Sequence, residues 1–517
     1  MTNKEMIEKG LLVATQTKDF VMGHGVHTEI PVLFKKHFPG KKAMIIADCN
    51  TWKAAGEDVY SKMKAAGIDV DKFIIEEKEF HAEWKYVMMV EEVLKEHQAI
   101  AVSVGSGVIN DLCKLASHHL DDQRYISVAT AASVDGYTSF GASITFEGAK
   151  QTFDCPAPIA MVADVDVLAH APKEMTAAGY ADLAAKVPAG GEWMIADLMG
   201  TEPIKPEAWH VLQDVLDDML STPEKVASGD PEAVGNFFVG LTLSGFAMQA
   251  NGSSRPASCT DHLFSHIMDM THHRYHGKLQ SHGFQVAIGT LTMCGMFDQF
   301  LTYDLTKLDV DKCVDSWPTL EQEQQRALDL FENFPAPKLG YTEITKKYND
   351  RETVRKQLQT IKECWPEFRE KLKKQVYSFD KMQRLFSIVG APTRPQDIGI
   401  TRKWLLYRCD FAQLMRWRFN LLDLAKRGMF YDRLLMDTFG KGGCWEILRK
   451  PRSPEVQKSG SPVITLAIPD YQVLINCLPV TYQLTYSLMN GRKPFCFSVR
   501  PTGLSRCRSG YFGLLQM

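Results

Sequence analysis

The chain has 517 residues, of which 45% are hydrophobic and 23% are charged. This composition excludes a mainly disordered protein and is enough for two or three domains with buried cores. The formal net charge of −3, from 59 basic and 62 acidic residues, gives no overall field that would attract nucleic acid or an anionic membrane. A small molecule is therefore the expected partner, and no nucleic acid is expected.

The first twenty residues are charged throughout and lack the apolar core of a secretory signal, which predicts a cytoplasmic protein. No stretch of about eighteen residues is apolar enough to predict a transmembrane helix, since the nearest one, 461–489, contains three prolines and an aspartate. We therefore expect no membrane insertion. The twelve cysteines form no Cys-x-x-Cys pair, so neither a zinc ribbon nor a disulfide framework is expected.

Short apolar runs alternate with amphipathic stretches from about residue 41. Segments with apolar residues at helical spacing, such as 56–66 and 87–97, separate these runs. The runs themselves are 43–48, 73–77, 99–105, 125–130 and 159–168. The alternation predicts βαβ units, and hence an α/β, Rossmann-like domain with a mostly parallel sheet over residues 1–170.

After about residue 171 the strand pattern ends and long amphipathic stretches follow, which predicts an all-helical (all-α) domain over residues 171–446. These stretches are 205–221, 232–250, 284–303, 318–332, 351–376 and 404–427. A cleft between sheet and helices is a usual place for a ligand. The remaining segment, 447–517, is atypical and basic, with no acidic residue after 470. We favour a disordered extension or a gene-model artefact over a tail that binds a polyanion.

A glycine-rich turn, Gly105-Ser106-Gly107, lies between an apolar run and a predicted helix. Glycines allow close approach of the backbone, and free amides at a helix start can bind pyrophosphate. An ordinary strand-to-helix turn explains the pattern equally well, because the third glycine of the dinucleotide fingerprint is missing. Asp48 ends an earlier strand, where it can bind the adenosine ribose or cap a helix.

A third predicted strand ends in the polar segment 130–136. Thr130, Ser133 and Ser139 can donate to a phosphate or to the nicotinamide amide, and Asp135 can accept from a substrate hydroxyl. The alternative is a turn stabilised by the Asp-Gly pair. Three strand ends of this kind suggest a nucleotide that lies along one edge of the sheet.

The metal hypothesis starts from Asp182, a carboxylate on a predicted helix rich in alanine. A buried carboxylate needs a partner, and a metal cation is one candidate. Lys186 follows at i+4, so a simple intrahelical ion pair is the alternative. His262 and His266 are also spaced i, i+4, and His282 begins another apolar stretch. Six of the fifteen histidines lie between 262 and 282, but their spacing cannot choose the ligands.

Together these segments resemble the sn-glycerol-1-phosphate dehydrogenase family, within the group of iron-type alcohol dehydrogenases, glycerol dehydrogenase and 3-dehydroquinate synthase. The resemblance covers roughly residues 10–440. The matching segments are GSGVIND (105–111), TAASVDGYTS (130–139), AGYADLAAK (178–186), RPASCTDHLFSH (255–266) and HGFQVAIGT (282–290).

The resemblance implies a dehydroquinate synthase-like architecture, NAD or NADP as cofactor, and one divalent metal ion, zinc or nickel. Asp182, His262 and His282 would be the metal ligands. Asp182, Asp135 and His266 would contact substrate and take part in catalysis, and we add Lys186 as a phosphate contact. The NAD(P)-binding residues would be Asp48, Gly105, Gly107, Val108, Ile109, Asn110, Asp111, Thr130, Ala131, Ala132, Ser133 and Ser139.

The implied reaction is reversible reduction of dihydroxyacetone phosphate to sn-glycerol 1-phosphate, a step of phospholipid metabolism, by a cytoplasmic homo-oligomer, dimeric or larger. Two alternatives stay open within the group: a polyol dehydrogenase, and a cyclase of the 3-dehydroquinate synthase kind. A catalytically impaired nucleotide-binding scaffold is a third.

Two segments depart from the family pattern. The usual Ser-Gly-Ala-Glu-His reads Ser-Cys-Thr-Asp-His at 258–262, which alters the surroundings of His262. Pro188 follows shortly after Lys186, together with Gly190 and Gly191. A proline inside a helix removes a hydrogen bond and costs about 3 kcal/mol, so this helix is expected to bend.

Overall fold

The computed structural model describes residues 1–77, 80–147, 149–447, 482–484 and 499–501. The chain divides into two units, residues 1–448 and residues 449–517. In the second unit, β11 (Tyr482–Leu484) pairs antiparallel with β12 (Val499–Pro501). The prediction of a disordered extension or artefact at 447–517 falls almost entirely outside the described residues and stays a prediction.

A six-stranded parallel sheet forms the N-terminal part of the first unit, with the strand order β1-β8-β5-β4-β2-β3. A separate antiparallel hairpin pairs β6 with β7. The strands are β1 (Asp19–Gly23), β2 (Lys42–Asp48), β3 (Val70–Ile75), β4 (Ala99–Gly105), β5 (Ile126–Ala129), β6 (Ala142–Phe146), β7 (Ala149–Phe153) and β8 (Ala160–Asp164). The parallel sheet confirms the predicted fold class, whereas β1 and the hairpin were not predicted.

Helices cover both faces of this sheet. Adjacent residues of β2 point into different cores, Ile45 into one and Ile46 into the other, so the strand reads as a continuous apolar run. A short 3-10 helix (Val26–Glu29) and a π-helical segment (Trp52–Gly56) accompany the helices. These helices are α1 (Asn3–Val13), α2 (Ile30–His37), α3 (Cys49–Thr51), α4 (Glu57–Ala65), α5 (Trp84–His97) and α6 (Gly107–His119).

Helices dominate residues 165–447. The exceptions are a hairpin of two-residue strands, β9 (Arg274–Tyr275) and β10 (Lys278–Leu279), and two 3-10 turns, Leu305–Lys307 and Pro395–Ile398. The helices are α7 (Val165–Ala169), α8 (Lys173–Ala184), α9 (Lys186–Leu198), α10 (Pro206–His210), α11 (Leu216–Met219), α12 (Pro223–Ser228), α13 (Pro231–Asn251), α14 (Thr260–Met270), α15 (His282–Phe300), α16 (Val310–Asp315), α17 (Leu320–Phe331), α18 (Leu339–Lys347), α19 (Arg351–Gln375), α20 (Phe379–Val389), α21 (Arg402–Leu414), α22 (Leu421–Arg427) and α23 (Tyr431–Phe439).

Helix α13 is long and apolar enough to cross a membrane by length and composition, but 89% of its most apolar window is buried inside the protein. It packs in the largest hydrophobic core, which also reaches the sheet at Ala129 and Met161. We therefore interpret α13 as a core helix of the fold.

Pro188 explains why α8 and α9 are separate helices. Its ring and missing N–H are incompatible with a helical hydrogen bond to the carbonyl of Ala184, and α8 ends at that residue. Pro188 thus occupies the third position of α9, where backbone N–H groups have no partner within the helix. The interruption is confined to Ala185, which keeps helical backbone angles (φ −60°, ψ −23°) and still bonds to Ala181 and Ala189. The hydrogen bond that Pro188 cannot donate to the carbonyl of Ala184 is the loss that was predicted, and the bend stays a prediction.

Candidate metal and cofactor site

Three of the sequence-predicted residues meet in a cluster that can hold a metal ion. Asp182 comes from α8, His262 from the first turn of α14, and His282 is the first residue of α15. One ligand atom from each lies within 4.8 Å of the other two. Asp182 is fully buried and His262 almost so. Two imidazoles and one carboxylate form a donor set that suits a divalent transition metal with open positions for substrate.

Hydrogen bonds at Nδ1 orient the imidazole rings of His262 and His282. The Nδ1 of His262 lies 2.8 Å from Oδ2 of Asp261, which leaves Nε2 facing Asp182 at 3.5 Å from its Oδ1. The Nδ1 of His282 lies 3.1 Å from the hydroxyl of Ser265. Partners of this kind orient metal-binding histidines and set their tautomers. The aspartate at 261 therefore supplies the carboxylate support for His262, in place of the family's glutamate.

A buried ion triad lies next to the metal cluster. Nζ of Lys186 contacts Oδ1 of Asp182 at 2.8 Å and Oδ2 of Asp135 at 2.9 Å. The backbone N–H of Asp135 donates to Oδ2 of Asp182 at 3.0 Å, and the hydroxyl of Ser244 donates to Asp135. Together these contacts hold both carboxylates in fixed positions.

Asp182 and Lys186 keep their charges in spite of burial. Burial raises the pKa of Asp182, but Lys186 and the two histidines outweigh it and hold that pKa well below its ordinary value. Burial also lowers the pKa of Lys186, but Asp135 and Asp182 outweigh it and the pKa lies above its usual range. Nζ of Lys186 is directed at two carboxylates, and the side chain is fully buried. These contacts do not support the predicted contact between Lys186 and a phosphate, which stays a prediction.

His266 lies one turn after His262 on α14, and its Nε2 is 2.9 Å from a guanidinium nitrogen of Arg416. Arg416 belongs to the loop between α21 and α22, 150 residues further along the chain. Sequence reasoning did not find this arginine. The only sequence signal is a pair of basic residues, Arg416 and Arg418, in an otherwise apolar stretch.

The carboxyl ends of β2, β4 and β5 are neighbours in the sheet, so the three predicted nucleotide segments share one edge. Gly105 ends β4 and Gly107 begins α6, whose first residues have no side-chain cap from Ser106. A Cβ on Gly105 would lie 2.5 Å from Cβ of Ile109, and one on Gly107 would lie 2.8 Å from a methyl of Val134. The glycines are therefore required by packing, and backbone amides at the helix start can face a phosphate.

Several predicted cofactor residues use their side chains to hold the fold. Oδ1 of Asn110 accepts from Tyr125 and Ser127, both at 2.9 Å, and Oδ1 of Asp48 caps α3 through two backbone N–H groups. Asp111 accepts from the backbone N–H of Ser143 at 3.2 Å. Contacts from this edge to a nucleotide would therefore come largely from the main chain. The side chains of Ile109, Thr130, Ala131, Ala132, Ser133 and Ser139 are buried.

At three glycines, a helix packs so closely against a neighbouring segment that a Cβ atom would meet a backbone carbonyl oxygen. A Cβ on Gly179 would lie 2.0 Å from the carbonyl oxygen of Ala132 in the β5 loop. A Cβ on Gly283 would lie 2.1 Å from that of Ala178, and one on Gly289 would lie 2.1 Å from that of Asp261. Only glycine fits at these positions, which lock α8, α14 and α15 together around the metal ligands.

Glu192 anchors the start of α14 and was also missed by sequence reasoning. It is fully buried and accepts from the backbone N–H of Thr260 at 2.9 Å, the Thr260 hydroxyl at 2.8 Å and the N–H of Leu421 at 2.9 Å. Burial raises the pKa of this carboxyl group. The neighbouring Cys259 is buried and contacts Arg255 at 3.3 Å. The changed residues Cys259, Thr260 and Asp261 thus belong to a buried polar network.

Comparison with known proteins identifies the fold and the family of the chain. The family model described as iron-containing alcohol dehydrogenase matches residues 21–172. Among solved structures, alcohol dehydrogenase from Oenococcus oeni aligns with a TM-score of 0.52 at 17% identity, over 81% of this chain and 99% of that one. A probable glycerol dehydrogenase from Sinorhizobium meliloti aligns with a TM-score of 0.50 at 17% identity, over 82% and 96%. These likenesses concern the fold.

Relatives named glycerol-1-phosphate dehydrogenase [NAD(P)+] are more similar in sequence. The Geobacillus thermodenitrificans protein is 31% identical over 383 residues, 74% of this chain and 84% of the relative. The Halobacterium salinarum protein is 32% identical over 53% of this chain and 76% of the relative. The Halalkalibacterium halodurans protein is 33% identical over 49% of this chain and 64% of the relative, slightly under two thirds of its length. The chain therefore belongs to the glycerol-1-phosphate dehydrogenase family.

Proposed function

We propose that this chain catalyses the reversible, NAD(P)H-dependent reduction of dihydroxyacetone phosphate to sn-glycerol 1-phosphate. The observation that carries the proposal is the convergence of Asp182, His262 and His282 beside the loop that follows β5. Two relatives, at 31% and 32% identity, bear the name of this activity. A homo-oligomeric state and a cytoplasmic location stay predictions.

The metal ligands in this proposal are Asp182, His262 and His282, and zinc or nickel is the expected ion. The donor set fits either metal, because imidazole and carboxylate ligands suit borderline cations. When bound, the metal would polarise the substrate carbonyl and stabilise the negative charge that develops on its oxygen. Asp261 and Ser265 keep the two imidazoles in the orientation that directs a ligand nitrogen toward the cluster.

The nucleotide is proposed to lie along the edge formed by Asp48, Gly105–Gly107 and the loop after β5. The start of α6 offers backbone amides for the pyrophosphate, and NADH or NADPH supplies the hydride. Gly179 brings α8 against Ala132, so the nucleotide edge and the metal cluster are adjacent in the fold. This adjacency is what hydride transfer to a carbonyl at the metal cluster requires.

Two side chains, Asp135 and His266, are proposed to contact the substrate, and Lys186 is proposed to position the carboxylates. Asp135 accepts from a substrate hydroxyl, and Lys186 keeps Asp135 and Asp182 in place through its two ion pairs. His266 contacts the substrate through its Nδ1–H, and a water molecule delivers the proton to the reduced oxygen. Because arginine only donates, the neutral ring of His266 accepts at Nε2 from Arg416 and carries its proton on Nδ1.

The test is NADH oxidation with dihydroxyacetone phosphate by protein that has been treated with a chelator and then supplied with zinc or nickel, followed by chiral analysis of the product. We expect no turnover without metal, recovery with one of the two ions, and sn-glycerol 1-phosphate as the product. Net NADH consumption also excludes a cyclase, which consumes none. Tight NAD(P) binding without turnover on any triose or polyol phosphate would instead favour the impaired scaffold.

A further inference from the structure

The loop 415–420, between α21 and α22, brings two arginines to the start of α14. Arg416 contacts Nε2 of His266 at 2.9 Å, and Arg418 donates to the carbonyl of Ser258 at 3.2 Å and to the hydroxyl of Ser254 at 3.0 Å. Both arginines therefore lie against the segment that carries the ligand His262. Their surroundings, however, differ in charge.

Arg418 has anionic and carbonyl partners inside the protein. Its Nε lies 3.9 Å from Glu202, which also pairs with Arg255 at 3.2 Å. Both Arg418 and Arg255 are buried, and they form a network with Glu202 and nearby carbonyl groups. Glu202 is one carboxylate shared by the two arginines, and several of their N–H groups also donate to carbonyl and hydroxyl groups of the protein.

Arg416 differs from Arg418 in its nearest partner, which is the ring nitrogen of His266. Among the residues that the structure describes, no carboxylate lies within 4.0 Å of its guanidinium group, and its contact is with a neutral ring nitrogen. The two nearest carboxylates already have other partners, since Glu343 binds Lys346 and the N–H of Trp417, and Asp261 binds His262. Burial lowers the pKa of Arg416, as expected for a cation with little access to water.

A partly buried cation without an anion is costly, and the free energy is recovered when an anionic group of a ligand arrives. The position of Arg416 suits a substrate phosphate. Arg416 contacts His266, and His266 lies one helical turn (about 5.4 Å) from His262 along α14. A short carbon chain can therefore connect the metal cluster with the guanidinium group. Lys186, the other cation at the site, is fully occupied by Asp135 and Asp182.

We propose that Arg416 binds the phosphate group of the substrate and thereby selects a phosphorylated triose over a non-phosphorylated one. This inference rests on the proposed function and names the residue that confers its phosphate specificity. The planar guanidinium matches a phosphate with two parallel hydrogen bonds. His266 accepts from one nitrogen of Arg416 and thus orients the group, while its remaining N–H groups can face the phosphate.

The experiment compares Arg416→Gln and Arg416→Lys with the wild-type protein, using dihydroxyacetone phosphate and dihydroxyacetone as alternative substrates. We expect Arg416→Gln to lower kcat/KM for the phosphorylated substrate about 10- to 100-fold, mainly through KM, since a hydrogen-bonded charged contact is lost. The ratio of kcat/KM for dihydroxyacetone phosphate to kcat/KM for dihydroxyacetone should fall about tenfold or more in Arg416→Gln, and Arg416→Lys should fall between the two proteins. Circular dichroism and bound metal content establish that the variants are folded and loaded.

Arg408→Gln is the matched control. Arg408 lies on α21, eight residues before Arg416, and its guanidinium stacks on Phe411 at 4.5 Å from the ring centroid. Its loss should change the activity on neither substrate. An equal loss on both substrates in Arg416→Gln, or an unchanged ratio between them, would overturn the inference.

Failure of the proposed function is a separate outcome. Wild-type protein that oxidises no NADH with dihydroxyacetone phosphate would contradict that function, but Arg416 can still be tested by calorimetric titration with inorganic phosphate. Binding that is about tenfold weaker in Arg416→Gln than in the wild type would support the phosphate site. Equal binding by both proteins would overturn it.

Discussion

The proposed nucleotide edge offers mainly backbone groups to its ligand, whereas the proposed metal cluster offers side chains. At the edge, Gly105 and Gly107 provide space and backbone amides, while side chains such as Asn110 are used to hold strands and loops together. In the cluster, the side chains of Asp182 and His262 are the proposed metal ligands, and their neighbours supply charge and orientation. The edge should therefore be sensitive to added volume, and the cluster to lost charge.

The largest effect is expected from Asp182→Ala in the cluster. The variant loses one of three metal ligands and leaves Lys186 with Asp135 alone. We expect bound metal to fall to background and kcat to fall roughly 100- to 1000-fold or more, the size seen when a group that stabilises developing charge is removed. Metal analysis and NADH oxidation measure both. Asp214→Ala, which removes an exposed partner of His210, is the control. Full activity of Asp182→Ala would contradict the ligand assignment.

The second prediction concerns the junction of the two regions, where Gly179 lies against Ala132. An added Cβ would meet a backbone oxygen at 2.0 Å, so Gly179→Ala should lower the free energy of unfolding by about 3 kcal/mol or more. Chemical denaturation measures the change. In the control, Gly190→Ala, the new Cβ would meet only the side-chain ends of Gln375 and Gln213, which can move. Equal stability of the two variants would show that this junction is not tightly packed.

The third prediction addresses the support of a ligand. Asp261→Ala should weaken metal affinity about 10- to 100-fold, because His262 loses the carboxylate that orients its ring. Competition with a chromogenic chelator measures the affinity. Asp298→Asn serves as control, since this carboxyl group lies further along α15 and accepts from the N–H of Phe379. Unchanged affinity in Asp261→Ala would mean that the aspartate at this position has no role in the metal site.

The fold was predicted well where hydrophobic pattern and length agree. Five of the six strands of the parallel sheet were found, since β2 and β4 read as continuous apolar runs that are buried on both faces. Strand β1 was missed because all five of its residues are only half buried. The predicted helix over 404–427 is two helices, since the side chain of Asn420 caps a new one.

The candidate ligands could be listed from residue types, but their surroundings could not be predicted. Asp182 and the histidines stand out as polar residues in apolar segments, and the resemblance selected among them. Arg416 and Glu192 act through contacts across 150 residues to His266 and 229 residues to Leu421. No local pattern in the sequence indicates such pairs, because only the packing of α9, α14 and the loop 415–420 brings them together.

The smallest effect, and the sharpest test of the nucleotide edge, is expected at Asp48. Its Oδ1 caps α3 by accepting from the N–H groups of Asn50 and Thr51, so a cofactor role must be separated from capping. Asparagine caps as well as aspartate, whereas alanine costs about 0.5–2 kcal/mol. Asp48→Asn should therefore keep the stability of the wild type and raise KM for NADH roughly 3- to 10-fold, the value of one hydrogen bond to the ribose. Asp48→Ala should show the same kinetic change together with a lower melting temperature. If KM for NADH stays constant in Asp48→Asn, this aspartate is a helix cap alone, and the nucleotide edge is then formed by main-chain groups without a carboxylate.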